Sequence, residues 1–494
     1  MNSFKRLASD TAIYGASSIV GRFLNWWLVP YYSFMFLPEE YGVVTNMYAY
    51  VAFFLVLLTY GMETSYFRYA SKSKEPEKVY STSIISLFFT TISFVLLASA
   101  FRHEIAALIQ YPDHPEYVLW FAIILGIDAF TAIPFARLRL NNRPVKFAFI
   151  KFVFIGFNIG FNLFFISLCP KLMENNPESI VRLVYSEDIG VGYVFISNLL
   201  ASVITLILLL PEILRISFSF DKALLKQMLS YGFPILIVGL TGMVNQNIDK
   251  VLIPFLIPEN QDPMFQLGVY GANYKLAVLM NMFIQAFRYA FEPFFFARSD
   301  SKNDPKVYAT VMKYFVIFGL LIFLGMVLYI DLVKIIIDSK YHVGLKVVPI
   351  ILMANLFFGI YFTLSLWYKL TDKTRYGAYM ALIGAAITLI LNIILIPKIG
   401  YMGSAYAVFS CFFVMMIVSY VLGQKFYPVP YDLKRIAIYF SLALVIYLVS
   451  VYTADLNSIN KYIFNTALIG VFLFGVLQFE KSEIRKLFSR KKQN

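Results

Sequence analysis

Hydrophobic runs long enough to cross a bilayer recur from one end of this chain to the other, and only short polar segments separate them. A membrane-spanning helix needs about 20 predominantly apolar residues. We therefore predict an all-α polytopic membrane protein with about fourteen transmembrane helices. Their approximate bounds are 11–36, 42–69, 79–101, 117–136, 147–169, 190–210, 229–257, 268–296, 307–330, 347–368, 376–396, 402–423, 436–453 and 462–479.

The composition leaves no room for a large soluble domain. Hydrophobic residues make up 60% of the 494 positions and charged residues only 14%, whereas soluble chains carry about 45–50% and about 25%. The first hydrophobic run is too long for the core of a signal peptide and no small-residue cleavage site follows it, so we expect it to be a helix of the mature protein.

The distribution of basic residues predicts the orientation. The chain has 42 Lys and Arg against 29 Asp and Glu, a net charge of +13. Fourteen spans place both termini on one side, and most basic residues, including the tail from Lys481 to Lys492, fall on that side. Because cytoplasmic loops are enriched in Lys and Arg, we expect cytoplasmic termini and a bacterial inner-membrane location. The tail then contacts anionic lipids, and no nucleic-acid partner is needed to explain the charge.

The chain partly repeats itself at an offset of six helices. Four short patterns recur in the same order in both halves. The paired segments are 41–43 and 267–269, 76–82 and 305–310, 143–148 and 375–378, and 189–192 and 399–403. An even offset makes the repeats parallel, so we predict two six-helix lobes around a central cavity. The N-lobe is 1–218 (helices 1–6), the C-lobe is 219–424 (helices 7–12), and 425–494 holds two extra helices and the basic tail.

Several motifs, together with this layout of six, six and two helices, resemble a known family. The motifs are 14–22, 38–42, 247–250, 271–276 and 287–293. Over essentially its whole length the chain resembles the polysaccharide (O-antigen type) flippases of the multidrug/oligosaccharidyl-lipid/polysaccharide (MOP) exporter superfamily. The resemblance implies a two-lobe transporter rather than an enzyme. Its cargo would be an undecaprenyl-pyrophosphate-linked oligosaccharide, an O-antigen, capsule or exopolysaccharide unit, moved to the outer leaflet by alternating access.

Polar residues inside the predicted spans are the candidate binding residues, because a charge in hydrocarbon is costly unless it faces protein or a wet cavity. Arg22 and Asn25 share one face of the first span, and the seventh and eighth spans contain further cations. Arg and Lys suit an anionic pyrophosphate or acidic sugar. The predicted substrate-binding residues are Arg22, Asn25, Lys250, Lys275 and Arg288.

Three carboxylates are candidates for coupling transport to an ion gradient: Asp128, Asp249 and Glu292. A membrane carboxylate can exchange a proton or hold Na⁺, so either H⁺ or Na⁺ is a candidate coupling ion. Each carboxylate also has a structural interpretation as the partner of a nearby cation, as for Arg288 and Glu292 at i and i+4. We expect Arg68, Lys151 and Lys313, which lie near predicted span ends, to extend to the cytoplasmic headgroups.

Two rival functions follow from the same sequence. An integral-membrane glycan polymerase or ligase needs an outer-facing catalytic site, but the outer loops are short and the three His lack paired carboxylates. A drug or cation exporter of the same fold should have an acidic cavity, which the surplus of intramembrane cations disfavours. Cys169 and Cys411 have no metal-ligand spacing, and we expect no metal or cofactor. A polysaccharide polymerase complex and membrane lipids are candidate partners.

Overall fold

The computed structural model describes residues 20–21, 23–24, 26–176, 179–296, 305–371, 373–452 and 458–490. Within these ranges helices are the only regular secondary structure, which confirms the all-α fold. The chain divides into two compact units, Met1–Gly271 and Ala272–Asn494. The lobe bounds expected from the repeat, 1–218 and 219–424, stay a prediction. Two compact units can form whether or not the chain contains an internal repeat, so their bounds do not test the repeat.

The first unit contains ten α-helices and most of an eleventh within its described residues. They are α1 (Leu28–Met35), α2 (Pro38–Thr59), α3 (Met62–Ala70), α4 (Pro76–Ala100), α5 (Arg102–Leu108), α6 (Pro115–Leu140), α7 (Pro144–Asn162), α8 (Cys169–Asn175), α9 (Gly192–Ile213), α10 (Lys222–Leu256) and α11 (Pro263–Leu276). A π-helical segment, Leu163–Leu168, joins α7 to α8. Proline begins α2, α4, α6 and α7, where its fixed φ suits the first turn and its missing N–H is not needed.

The second unit takes in the end of α11 and continues with nine more described α-helices. They are α12 (Val278–Phe296), α13 (Pro305–Leu328), α14 (Ile330–Val333), α15 (Val347–Leu364), α16 (Leu366–Leu370), α17 (Arg375–Ile399), α18 (Tyr401–Phe426), α19 (Leu433–Tyr452) and α20 (Ser458–Arg490). Buried hydroxyls on such helices bond the carbonyl four residues earlier, as Thr363 does to Gly359 at 3.0 Å. Helices satisfy their backbone polar groups internally, which is why they can cross a bilayer.

Twelve helical segments of the described chain are long and apolar enough to span a membrane. They coincide with the second to seventh and the ninth to fourteenth predicted spans, so the prediction of a multi-pass membrane protein is confirmed. Most of the first predicted span lies outside the described residues.

The eighth predicted span, 268–296, consists of two helices rather than one. Helix α11 ends at Leu276 and α12 begins at Val278, with a turn at Ala277. No proline marks this break. The carbonyl of Ala277 accepts from the backbone N–H of Met280 at 3.2 Å and from the side-chain amide of Asn355 in α15 at 3.5 Å, so a tertiary contact is made at the turn.

Candidate functional site

Asp249 and Lys250 are adjacent in α10, and both are buried within the first unit, with 1% and 7% of their surfaces exposed. The Nζ atom of Lys250 lies 3.1 Å from Oδ1 of Asp249 and 2.9 Å from the carbonyl oxygen of Gln246. The hydroxyl of Tyr270 in α11 donates to Oδ2 of Asp249 at 2.5 Å. Two predicted site residues are thus brought together, and each offsets the charge of the other.

A hydrogen-bonded chain continues from this pair to α2. The side-chain amide of Asn46 donates to the carbonyl of Lys250 at 2.8 Å, and the hydroxyl of Tyr111 donates to Oδ1 of Asn46 at 3.0 Å. Burial raises the pKa of Tyr111 well above its usual value. These contacts fix α10 against α2 near the end at which α2 begins.

A second group of charges surrounds a cavity of about 490 Å³ between α2, α6, α7 and α9. Asp128 from α6 faces this cavity and accepts a hydrogen bond of 3.0 Å from the hydroxyl of Ser202 in α9. The cavity is lined by Leu55, Val56, Thr59, Glu63, Asp128, Thr131, Ala132, Phe135, Arg139, Phe147, Lys151, Phe154 and Thr205.

Lys151 lines the same cavity, and its Nζ lies 4.0 Å from the ring centroid of Phe135. The expectation that Lys151 extends to the headgroups is wrong, because this cation–π contact and the facing carboxylate of Asp128 hold it inside the helix bundle. Arg139 and Glu63 form an ion pair at the cavity wall. The cavity therefore contains two cations and two carboxylates.

Sequence reasoning missed Arg139, although a signal for it exists. Asp128, Thr131, Phe135 and Arg139 follow one another at intervals of three or four residues, so they share one face of a helix. A charged stripe on an otherwise apolar span indicates an inward-facing surface. Glu63 is harder to assign from sequence, since its partner Arg139 lies three helices further on, in α6.

The remaining predicted site residues are not brought together by the described contacts. Lys275, near the end of α11, is exposed. The guanidinium carbon of Arg288 in α12 lies 3.9 Å from the ring centroid of Phe362 in α15. Arg22, Asn25 and the side chain of Glu292 lie outside the described residues, so the ion pair expected between Arg288 and Glu292 stays a prediction.

Lys313 does not reach the headgroups either. Its side chain is 5% exposed, and its Nζ lies 2.6 Å from Oε2 of Glu480 in α20. The partner is 167 positions away in sequence, so the local pattern around Lys313 could not reveal it. Arg68 is the third residue that the sequence assigns to the headgroups. It is exposed, and its guanidinium carbon lies 4.1 Å from the ring centroid of Tyr231.

A family model described as "Polysaccharide biosynthesis protein" matches residues 7–299, more than half of the chain. The match confirms the family that the sequence motifs indicate. No curated protein sequence is significantly similar to the chain.

Solved structures show the same fold at low sequence identity. A structure titled "Lipid II flippase MurJ, inward closed conformation" has a TM-score of 0.72 and 15% identity, over 95% of this chain and 99% of that one. An inward-facing multidrug resistance MATE family transporter of the MOP superfamily has a TM-score of 0.65 and 12% identity, over 86% and 98%. At these identities the likeness concerns the fold, and both relatives are named as transporters.

Proposed function

This chain belongs to the polysaccharide biosynthesis protein family, and from that premise we propose that it is a flippase for an undecaprenyl-pyrophosphate-linked oligosaccharide. The flippase moves an O-antigen, capsule or exopolysaccharide unit from the cytoplasmic to the outer leaflet of the bacterial inner membrane by alternating access. The family match over residues 7–299 carries this proposal. A polysaccharide polymerase complex is the candidate partner that receives the flipped unit.

The anionic groups of the cargo are assigned to polar residues of the first and eighth predicted spans. We assign them to Arg22, Asn25, Lys275 and Arg288, because Arg forks and Lys ammoniums replace the water lost by phosphate oxygens. Lys250 was predicted in this set, but its ammonium is bonded to Asp249 inside the first unit. Contact between Lys250 and the cargo therefore requires that this pair open.

Among the coupling candidates, Asp128 is better placed than Asp249. Both carboxylate oxygens of Asp249 are occupied, by the backbone N–H and ammonium of Lys250 and by the hydroxyl of Tyr270. Asp128 faces a cavity instead. Lys151 and Arg139 balance the two carboxylates of that cavity, so it has no surplus negative charge with which to hold a metal cation. A carboxylate there can still exchange a proton, and we therefore propose H⁺ rather than Na⁺.

Deletion of the gene in its native host tests the function. We expect undecaprenyl-linked oligosaccharide to accumulate on the cytoplasmic side while surface polymer is lost, and a plasmid copy to restore both. Normal surface glycan in the deletion strain would contradict the proposal.

Drug export is the second candidate, because the fold is also that of a MATE transporter. A carrier of organic cations favours acidic surroundings, whereas Lys151 and Arg139 balance the two carboxylates of the described cavity. Unchanged surface glycan together with raised sensitivity to cationic drugs in the deletion strain would favour this second function.

A further inference from the structure

We propose that the loop between α9 and α10, together with the first turns of α10, binds the anionic phospholipid surface of the cytoplasmic leaflet. We call residues 214–221 the connector loop, because they join the sixth predicted span to the seventh. In the orientation that the basic residues predict, α9 ends and α10 begins at the cytoplasmic face. The inference uses this orientation and does not depend on the identity of the cargo.

The connector loop exposes large apolar side chains. Leu214 is 74% exposed, Phe218 is 82% exposed and Phe220 is 49% exposed. Ile216 instead packs against the buried cluster of the first unit that contains Met228. The loop therefore divides its side chains between the protein core and the surroundings. Apolar side chains exposed to this extent are stabilised when they enter the interface of a bilayer.

Hydrogen bonds to α4 hold the connector loop in this conformation. The backbone N–H of Ser217 donates to Oγ of Ser81 at 3.2 Å, and the backbone N–H of Asp221 donates to Oγ1 of Thr82 at 3.2 Å. Both acceptor side chains are fully buried. Between the two anchored positions, Phe218 has a φ of +48°, which residues with a large side chain rarely adopt. The loop is thus fixed to the protein while its most exposed aromatic ring is directed away from it.

The exposed apolar surface continues from the connector loop onto α9. Ile207, Leu210 and Leu214 follow one another at intervals of three and four residues, so they share one face of the helix. All three side chains are exposed. On a membrane-spanning helix, an exposed apolar face contacts hydrocarbon. The connector loop therefore begins where a lipid-facing surface ends, which is the level of the headgroups.

Exposed basic residues flank these apolar side chains. Arg215 lies in the connector loop, and Lys222 and Lys226 lie on successive turns of α10. Leu229 and Phe233 follow on the same face of α10 and are also exposed. Along this face, charged side chains give way to apolar ones, as expected at a boundary between headgroups and hydrocarbon.

The charge of this surface indicates which lipid it binds. Asp221 lies 2.9 Å from Nζ of Lys78, and the buried carboxylate of Glu212 lies 2.8 Å from Nζ of Lys146. These two acidic groups are thus paired within the protein, and the exposed groups of the segment are cations. Anionic headgroups of the cytoplasmic leaflet supply the complementary charge. An apolar groove of a partner protein would cover the same side chains but leave the cations without counter-charge.

Membrane depth, measured by electron paramagnetic resonance, tests the proposal. A nitroxide is attached to Phe218→Cys, and Lys74→Cys is the matched control at an exposed position of the polar loop between α3 and α4. The native Cys169 and Cys411 are buried, so the label reacts with the introduced cysteine. The full-length protein is reconstituted into vesicles of phosphatidylcholine alone or of phosphatidylcholine mixed with phosphatidylglycerol.

We expect the nitroxide at Phe218→Cys to collide more often with lipid-soluble oxygen than with a water-soluble nickel chelate. The control label should show the reverse. Phosphatidylglycerol should raise the ratio of oxygen to nickel collisions at Phe218→Cys severalfold, because the cations draw the loop onto an anionic surface. A water-exposed label at Phe218→Cys in both kinds of vesicle would overturn the proposal.

Removal of the lysines tests the headgroup charge separately. In the Phe218→Cys protein, Lys222→Gln/Lys226→Gln should remove most of the effect of phosphatidylglycerol while the label stays in lipid. Lys72→Gln/Lys74→Gln removes the same charge from the loop between α3 and α4 and should retain the effect. A depth that does not depend on phosphatidylglycerol, or an equal loss in both double variants, would overturn the assignment to anionic lipid.

Discussion

The Nζ atom of Lys313 lies 2.6 Å from Oε2 of Glu480, and both side chains are buried between α13 and α20 of the second unit. The other carboxylate oxygen of Glu480 accepts from Tyr439 at 2.6 Å and from Arg435 at 3.2 Å, both in α19. One carboxylate therefore joins three helices. The last two helices, which the repeat does not include, are fixed to α13 by this centre.

Helices α13 and α20 are also bonded to each other near the end of α13. Asp331, just after α13, lies 2.6 Å from Nζ of Lys461 in α20, and the side-chain amide of Asn465 donates to the carbonyl of Leu328. Helix α20 is thus bonded to the α13 region at two separate places along its length.

Replacing Glu480 with Leu should strongly destabilise the protein. The substitution leaves the ammonium of Lys313 buried without its carboxylate, and breaking a buried pair in this way costs about 3–5 kcal/mol. Adding Lys313→Met should recover a large part of the loss, because the uncompensated charge is removed. Thermal unfolding of the detergent-solubilised variants measures both effects, and a double variant as unstable as Glu480→Leu alone would contradict the argument.

The pair at Asp331 should make stability depend on pH. Hydrogen bonds from Lys334 and Lys461 hold the pKa of Asp331 below its usual value. A lowered folded-state pKa stabilises the protein above the unfolded pKa of about 3.9, and the contribution is lost as the pH falls through the folded value. Asp331→Asn should therefore lower the melting temperature at pH 7 but make a much smaller difference at about pH 3. An equal difference at both pH values would rule out this electrostatic explanation.

Hydropathy predicted the spans because a bilayer demands long apolar runs, and the described helices agree with twelve of them. The break at Ala277 could not be predicted in the same way, because the local sequence of the eighth span has the pattern of one continuous helix. The amide of Asn355, which donates to the carbonyl of Ala277, lies in α15 and is distant in sequence.

The sequence indicates which charges lie inside the spans, but not which groups they contact. The polar density of the seventh span singles out Asp249 and Lys250, but only the structure shows that their side chains pair with each other. Lys151 and Lys313 lie near predicted span ends, which is why the sequence predicts contact with headgroups. Lys151 instead lines a cavity that Asp128 of another helix also faces, and Lys313 pairs with Glu480 of another helix. Position relative to a span end therefore does not decide whether a lysine extends to the lipid headgroups.

Asp128→Asn tests the assignment of the coupling site. The amide keeps the shape of the side chain and its contact with Ser202 but cannot exchange a proton, so export should lose its dependence on a pH gradient. Asp249→Asn is the matched variant at the other buried carboxylate and should retain that dependence. Proteoliposomes with imposed pH or Na⁺ gradients measure the response. A pH response unchanged by Asp128→Asn, or a response to Na⁺ alone, would reject the assignment.

Arg22→Ala should abolish polymer export without lowering the amount of protein, because a guanidinium assigned to the pyrophosphate is lost. Arg22→Lys keeps the charge but not the fork, and we expect partial export. Surface glycan and membrane abundance are measured in a complemented deletion strain. Full export by Arg22→Ala would remove this residue from the site.

Transbilayer movement of the cargo by the purified protein is the most direct test of the central claim. Undecaprenyl-pyrophosphate-linked oligosaccharide is placed in both leaflets of proteoliposomes, and a membrane-impermeant glycosidase is added outside. We predict that the glycosidase reaches the inner-leaflet pool only in vesicles with active protein. Persistent protection with the unmodified protein, in vesicles that do transport an organic cation such as ethidium, would contradict the account.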